Sequence, residues 1–231
     1  MQNIKVLSVG GSIIAPGEVD VNFLKQFRDI VKTYLDEDPK RGLIFVSGGG
    51  APARQYQQAY REIASEPKDS EADWIGIAAT WLNGHLLKSI FSEYCRNELV
   101  VDPTAAETMD GRILVAGGWK PGFSTDNDAV LLAERFGADT VINLSNIAKI
   151  YTADPKVDPN AQPIDHIPWD NFRKMVGDKW TPGVNLPFDP IAAMRGQKLG
   201  LRVISASGGD LKNIDSILRD GSFEGSVIGP D

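Results

Sequence analysis

Apolar residues along this chain fall into two rhythms. Short continuous runs at residues 4–9, 43–46, 113–115, 140–144 and 201–205 have the length of buried strands and run out into Gly, Ala or Ser. Between them the apolar positions recur at helical spacing. Val21, Leu24, Phe27, Ile30, Val31 and Leu35 share one face of a helix over 19–35, and Pro52 opens a mixed helix that reaches 63. Trp74, Ile77, Trp81, Leu82, Leu86 and Ile90 mark a long helix over 73–94, apolar for an exposed one, with Asp73 suited to its first turn. Further helices are predicted over 129–136, 190–198 and 211–218, and further short strands over 99–101 and 226–228. Beyond Asn146 the pattern breaks. Asp154-Pro155, Asp158-Pro159, Pro163 and Pro168 leave room only for short strands or a hairpin, and 177–188 reads as a second loop rich in Gly and Pro. Strand alternating with helix predicts an α/β fold, a three-layer α/β/α sandwich around a mainly parallel sheet, with a C-terminal lobe after the break.

Composition narrows the chemistry. The 231 residues suit one domain, and 24 Lys+Arg against 31 Asp+Glu give a formal charge of -7. No overall basic field exists to hold nucleic acid or an anionic membrane, so neither is an expected partner, and any phosphate must be met by local backbone donors. Cys95 stands alone and cannot form an internal disulfide. The first residues lack the apolar core and small-residue cleavage site of a signal peptide, and no apolar stretch approaches the roughly 18 residues that span a bilayer. A cytoplasmic protein is expected.

Three predicted strands run into clustered glycines: Gly10-Gly11-Ser12, Ser47-Gly48-Gly49-Gly50, and Ala116-Gly117-Gly118 followed by Lys120-Pro121-Gly122. In a parallel sheet all three lie along the carboxyl edge, where ligands bind. Glycine lets backbone N–H groups approach an anion, and a following helix adds its positive end. None of the loops reads as the dinucleotide-binding or P-loop pattern, so a different phosphate-binding architecture is required.

These loops, with four further segments, make the chain resemble the amino acid kinase family, and within it the uridylate (UMP) kinases of the archaeal type. Gly10-Gly11-Ser12 looks like the first glycine loop, and Gly48-Gly49-Gly50 with Arg54 resembles the acceptor-side G-G-G-x-x-A-R segment. Asp73, Gly76, Thr80 and Asn83 match D-x-x-G-x-x-x-T-x-x-N, while Gly117-Gly118, Pro121-Gly122 and Ser124-Thr125-Asp126 match G-G-x-x-P-G-x-[ST]-T-D. Ser145-Asn146 and Tyr151-Thr152-Ala153-Asp154-Pro155 with Asp158-Pro159 resemble the family's nucleotide loop, and Asp189-Pro190 with Ala192-Ala193 its later D-P-x-A-A segment. The resemblance runs through most of the chain.

The resemblance implies phosphoryl transfer from ATP, with Mg²⁺, to UMP, in pyrimidine nucleotide biosynthesis. Gly10, Gly11 and Ser12 would donate to the transferred phosphate. Gly48, Gly49 and Arg54 would hold the acceptor phosphate side, Asp73 the ribose, and Thr125 the acceptor phosphate or base. Asp126 would orient the phosphate-binding groups or Mg²⁺, and Ser145, Asn146, Tyr151 and Asp154 would line the ATP site. Residues 1–144 would form mainly the acceptor-side lobe and 145–231 mainly the nucleotide-side lobe, in a homo-oligomer, by family precedent a hexamer. On the residues alone, Arg54 reads as an exposed helix charge, Asp73 as a helix-start acid, Asp126 as a helix cap and Tyr151 as a core or hairpin aromatic. No metal-ligand spacing appears around His85 or His166.

Three departures bear on activity. Ser8 stands where many family members carry a lysine, which leaves room for a catalytically weak nucleotide-binding protein, or a kinase for another small acceptor. Lys120, inside the third glycine loop, is the candidate cation to act in its place, while on the residues alone it reads as a solvated loop lysine. Ala148-Lys149 replaces the usual Asp-Gly of the nucleotide loop, and Asp128 is an added acid. Placed about 200° around a helix from Asp126, Asp128 reads as a surface carboxylate.

Overall fold

The structure, a computed structural model, describes residues 3–155, 157–177 and 186–230. Nine strands and eight helices follow one another among these residues. Strand β1 (Asn3–Val9) leads through the short helix α1 (Gly11–Ile14) and α2 (Val21–Glu37) to β2 (Arg41–Ser47). Helices α3 (Gly50–Ile63) and α4 (Asp69–Ile90) precede β3 (Ile113–Ala116), and α5 (Thr125–Phe136) precedes β4 (Thr140–Ser145). A small antiparallel pair, β5 (Ile150–Tyr151) and β6 (Pro163–Ile164), then leads to β7 (His166–Ile167) and α6 (Trp169–Val176). The chain closes with α7 (Pro190–Leu199), β8 (Arg202–Ser207), α8 (Leu211–Leu218) and β9 (Ser226–Ile228).

The main sheet has the order β3-β2-β1-β4-β8-β9-β7, parallel throughout except where β9 runs against β8. Alternation along each strand sorts its side chains into two cores. Leu7, Val9, Leu43, Phe45, Ile142 and Leu144 pack on α2, α4 and α8, where Phe45 meets the rings of Phe27 and Phe91. Val6, Ile44, Val46, Val141 and Val203 face α5, α6 and α7. Burial of both faces explains why these strands are continuous apolar runs. The three-layer, mainly parallel plan expected from the pattern is the one found.

The differences have local causes. Helix α4 starts four residues before Asp73, with Asp69 and Glu71 in its first turn, so Asp73 sits one turn inside; the helix ends at Ile90 rather than 94. Helix α5 starts at Thr125, one turn before 129, because Ser124 caps it by accepting the Asn127 N–H. Asp126 is therefore not the cap. Residues 99–101 form no strand but a single bridge, Val100 to Ala116. Helix α6 lies outside the predicted pattern; its eight residues are held by burial of Trp169 and Phe172. Most of the loop predicted over 177–188 lies outside the described residues.

The chain runs outward from β1 to β2 and β3, then returns to place β4 on the other side of β1. The carboxyl ends of β1 and β4 thus border the topological switch point, where open α/β sheets bind ligands. Gly10, just after β1, and Ser145, the last residue of β4, flank it: the Gly10 amide donates to the Leu144 carbonyl at 2.8 Å, and the Gly208 amide to the Ser145 carbonyl at 2.8 Å.

Candidate active site

The first two glycine loops touch backbone to backbone. A Cβ on Gly11 would lie 1.9 Å from the Gly50 nitrogen, and one on Gly48 would lie 2.4 Å from the Gly11 nitrogen. Gly50 has φ +68°, the left-handed region that glycine enters without steric cost. Two chains crossing this closely leave no room for side chains, which is the physical content of the clustered glycines.

Helix α4 ties the second and third loops together through Asp73, Thr80 and Asn83, at spacings that share one helical face, and through Trp81 at the edge of that face. Asn83 Nδ2 donates to the carbonyls of Gly48 and Gly49, at 2.7 and 3.2 Å. Thr80 Oγ1 accepts the Gly118 N–H at 2.7 Å, and Trp81 Nε1 donates to the Gly118 carbonyl at 2.8 Å. Asp73 Oδ2 accepts the Gly122 N–H at 3.0 Å. The D-x-x-G-x-x-x-T-x-x-N spacing therefore positions loops as well as any ligand. The motif by itself gives Thr80 and Asn83 no role; their burial among loop carbonyls and amides supplies one.

Asp126, half-buried near the start of α5, joins three elements. Ser8 Oγ on β1 donates to its Oδ1 at 3.2 Å, and the Asp189 amide, at the head of α7, donates to its Oδ2 at 3.3 Å. Asp189 itself caps α7, its Oδ1 accepting the N–H groups of Ile191 and Ala192. Burial, seconded by the Asp189 charge, pushes the Asp126 carboxyl up to about 6, against the pull of Ser8 and the Asp189 amide. Ser8, opposite Asn143 in the β1–β4 register, is thus the hydroxyl partner of Asp126 rather than an empty position.

The remaining predicted residues are placed as follows. Arg54 is exposed on α3, its guanidinium reaching the Pro16 carbonyl at 3.5 Å. Ser12 lies in α1 and Thr125 opens α5, both half-buried. Ser145 ends β4, its Oγ accepting the Ile147 N–H; Asn146 is exposed beside it, and Tyr151 is half-buried in β5. The Asp154 carbonyl closes a turn by accepting the N–H groups of Val157 and Asp158. Lys120 does not point at Asp126 through any hydrogen bond; its ammonium stacks 3.6 Å from the Trp119 ring centre and 4.8 Å from that of Phe123. Lys5 is buried at the opposite end of β1, where it binds the Leu218 carbonyl and Asp220.

Asp128 is not the surface acid its spacing suggests. It is fully buried, with Oδ2 accepting the Trp119 N–H at 3.1 Å. Helix α5 is wedged between the sheet and α7, so the side turned away from Asp126 faces protein, not water. Burial pushes this carboxyl up to about 7, the Trp119 N–H opposes the shift, and Asp126, Asp189 and Asp102 add to it. The folded chain therefore keeps a proton that the unfolded chain releases near pH 4, and stability falls as pH rises from about 4 to about 7. Asp128→Asn removes that cost. We expect the variant to match the wild type near pH 4.5 and to exceed it at pH 8 by on the order of 2–4 kcal/mol in urea unfolding. A difference that does not grow with pH would contradict the burial of a charge at this position.

The amino acid kinase family model matches residues 3–205. The uridylate kinase of Methanocorpusculum labreanum is 34% identical over 227 residues, covering 97% of this chain and 94% of the relative. That of Methanospirillum hungatei is 35% identical over 228 residues, covering 96% and 93%. The crystal structure of uridylate kinase from Archaeoglobus fulgidus superposes with a TM-score of 0.82 at 31% identity, covering 99% of this chain and 100% of the other. The UMP kinase of Bacillus anthracis, at 17% identity and a TM-score of 0.76, shares the fold.

Proposed function

The chain belongs to the amino acid kinase family, and from that premise we propose that it transfers the terminal phosphoryl group of ATP to UMP, giving UDP and ADP. The observation that carries this reading is the backbone crossing of two glycine loops at the switch point, which is bordered by the strand whose Ser8 holds Asp126. Phosphoryl transfer asks a protein mainly for alignment and for donors to the charge spread over the transferred oxygens. Gly11 and Ser12 supply such donors, whereas the Gly10 amide, expected from the motif to join them, is already engaged by the Leu144 carbonyl and serves to fix the turn. Asp126 fixes β1, α5 and α7 relative to one another around them.

Gly48, Gly49 and Arg54 take the acceptor phosphate side, Thr125 the acceptor phosphate or base, and Asp73 the ribose. Ser145, Asn146, Tyr151 and Asp154 line the ATP side, so residues 1–144 serve mainly the acceptor and 145–231 mainly the donor within one domain. Mg²⁺ enters as part of the MgATP substrate, held chiefly by phosphate oxygens; no group of three or more metal-binding side chains occurs among the described residues. Ser8 brings no positive charge, and Lys120 is the cation we assign to the transferred phosphate once its ammonium leaves the Trp119 ring. The work belongs to pyrimidine nucleotide supply, in the cytoplasm. No helix among the described residues is long and apolar enough to cross a membrane.

The acceptor assignment has a direct test. Asp73→Asn keeps an oxygen for the Gly122 N–H while removing the charge, and Arg54→Ala removes an exposed guanidinium. Each is expected to raise the UMP KM roughly 10-fold or more with little change in the ATP KM, as expected for loss of a charge-assisted hydrogen bond to one substrate. An unchanged UMP KM in both would remove these residues from the acceptor site. Rates of ADP release across the nucleoside monophosphates and small carboxylates test the substrate itself: UMP is expected to give the highest kcat/KM, whereas tight ATP binding without turnover on any acceptor would favour a non-catalytic nucleotide-binding protein.

Assembly follows from α4. Trp74 is 44% and Leu82 65% exposed, and with Trp81 and His85 they form one helical face, too apolar to leave wet. We assign this face to a twofold contact between copies, within a homo-oligomer that family precedent extends to a hexamer. Light scattering at micromolar concentration is expected to give a dimer or larger; a monomer would contradict the assignment.

A further inference from the structure

The third glycine loop carries Lys120 and ends at Thr125 and Asp126, yet its middle is fastened by a residue outside the motif. Side chains anchor its amides at three points: Gly118 on Thr80 Oγ1, Trp119 on Asp128 Oδ2 and Gly122 on Asp73 Oδ2. The first anchor lies beside the strand end. The last is at the exposed tip, on a residue assigned to the acceptor. Trp119 is the anchor next to Lys120, and its ring is the surface on which the Lys120 ammonium rests, with Phe123 packed edge-on at 4.8 Å.

Asp128 is built for this contact and carries a cost for it. Its side chain is wholly buried, and among the described residues its Oδ1 has no hydrogen-bond partner. An apolar residue would fill the same space between the sheet and α7 without leaving a polar atom unsatisfied. What an apolar residue lacks is an acceptor for the Trp119 N–H. Asp128 is rooted in the same first turn of α5 as Asp126, two residues away, so a loop held by Asp128 is registered to the helix that presents Asp126.

We propose that Asp128 is a positioning residue for the transfer reaction: by holding the Trp119 amide it fixes the Trp119-Lys120 stretch of the third glycine loop relative to Asp126. The proposal rests on the kinase reading for its effect on rate, but not for the contact itself. Two variants separate acceptor from bulk. Asp128→Asn keeps a carbonyl oxygen for the amide, and Asp128→Ala removes it.

Amide hydrogen exchange at Trp119, measured without substrate, reads the contact. Steady-state kinetics with MgATP and UMP read its consequence. Asp128→Asn is expected to retain Trp119 protection and kcat. Asp128→Ala is expected to speed exchange at Trp119 about 100-fold relative to core amides and to lower kcat about 10-fold, with the ATP KM nearly unchanged. Trp119 protection that survives in folded Asp128→Ala, or a wild-type kcat in that variant, overturns the proposal. Should the alanine variant not fold, an ester in place of the Gly118–Trp119 amide deletes the same N–H and leaves the core filled, with the same kcat loss expected and the same contrary result. A wild-type protein that makes no UDP defeats the kinase reading and with it the effect on rate, while the exchange result still decides whether the contact exists.

Discussion

Replacing Gly11 with alanine is expected to abolish measurable turnover and to destabilise the fold. The added Cβ would stand 1.9 Å from the Gly50 nitrogen and 2.6 Å from the Gly48 carbonyl carbon, and both are backbone atoms that cannot rotate away. The two loops must separate. Gly48, Gly49 and Gly50 are in turn held by the Asn83 amide and by the left-handed turn at Gly50, so separation breaks contacts that α4 makes as well. Overpacking of this kind costs about 3 kcal/mol. For a chain of this size that lowers the melting temperature by roughly 6–12 °C. The loss of kcat is expected to exceed roughly 100-fold, because N–H groups displaced by even about 1 Å no longer meet the transferred phosphate. Gly17→Ala is the control: a Cβ there meets nothing within 4 Å, and both stability and rate are expected to hold. Wild-type turnover in Gly11→Ala would show that the loop crossing is not part of the site.

Asp126→Asn is expected to lower kcat about 100-fold, a loss of about 2.7 kcal/mol of transition-state stabilisation, while the KM values for ATP and UMP stay within a few-fold. The substitution is close to isosteric, and its hydrogen bonds can be kept. The carboxamide oxygen can accept the Asp189 N–H, while the Ser8 hydroxyl turns to accept from the carboxamide nitrogen. Only the charge is lost, and the fold does not need it. The Asp126 carboxyl is pushed up to about 6 by burial and by Asp189, so its contribution to stability, like that of Asp128, declines as pH rises from about 4 to about 6. The variant is therefore expected to be at least as stable as the wild type at pH 8, which makes a fall in rate attributable to the site. An unaltered kcat in the folded variant would remove Asp126 from the catalytic machinery.

Much of this arrangement is legible in the sequence. Continuous apolar runs mark strands buried on both faces, and the glycines after β1, β2 and β3 mark the carboxyl edge. The motif resemblance brings the loops and α4 into one site, though not the reason for their spacing. That reason is tertiary: Thr80, Trp81 and Asn83 bond loop backbone, and nothing in a helical periodicity says so.

Asp128 shows where a helical angle stops being informative. Its direction relative to Asp126 follows from the spacing, but what packs on that side does not, because it depends on α5 lying between the sheet and α7. The start of α5 is hidden for a related reason. Thr125 through Asp128 is an unbroken polar stretch, and only the cap made by Ser124 reveals it as helix. Helix α6 escapes the pattern because its two buried aromatics, Trp169 and Phe172, are too few to set a period.

The reaction itself is tested most directly by single-turnover transfer. Purified protein in excess is mixed with MgATP labelled at the terminal phosphorus and with UMP, quenched on the millisecond-to-second scale, and the products are separated. The expected result is label appearing in UDP at the rate at which ATP disappears, with no label in inorganic phosphate. ATP that persists unchanged in the presence of UMP, or label that leaves as inorganic phosphate at the same rate with and without UMP, would contradict phosphoryl transfer to UMP by this chain.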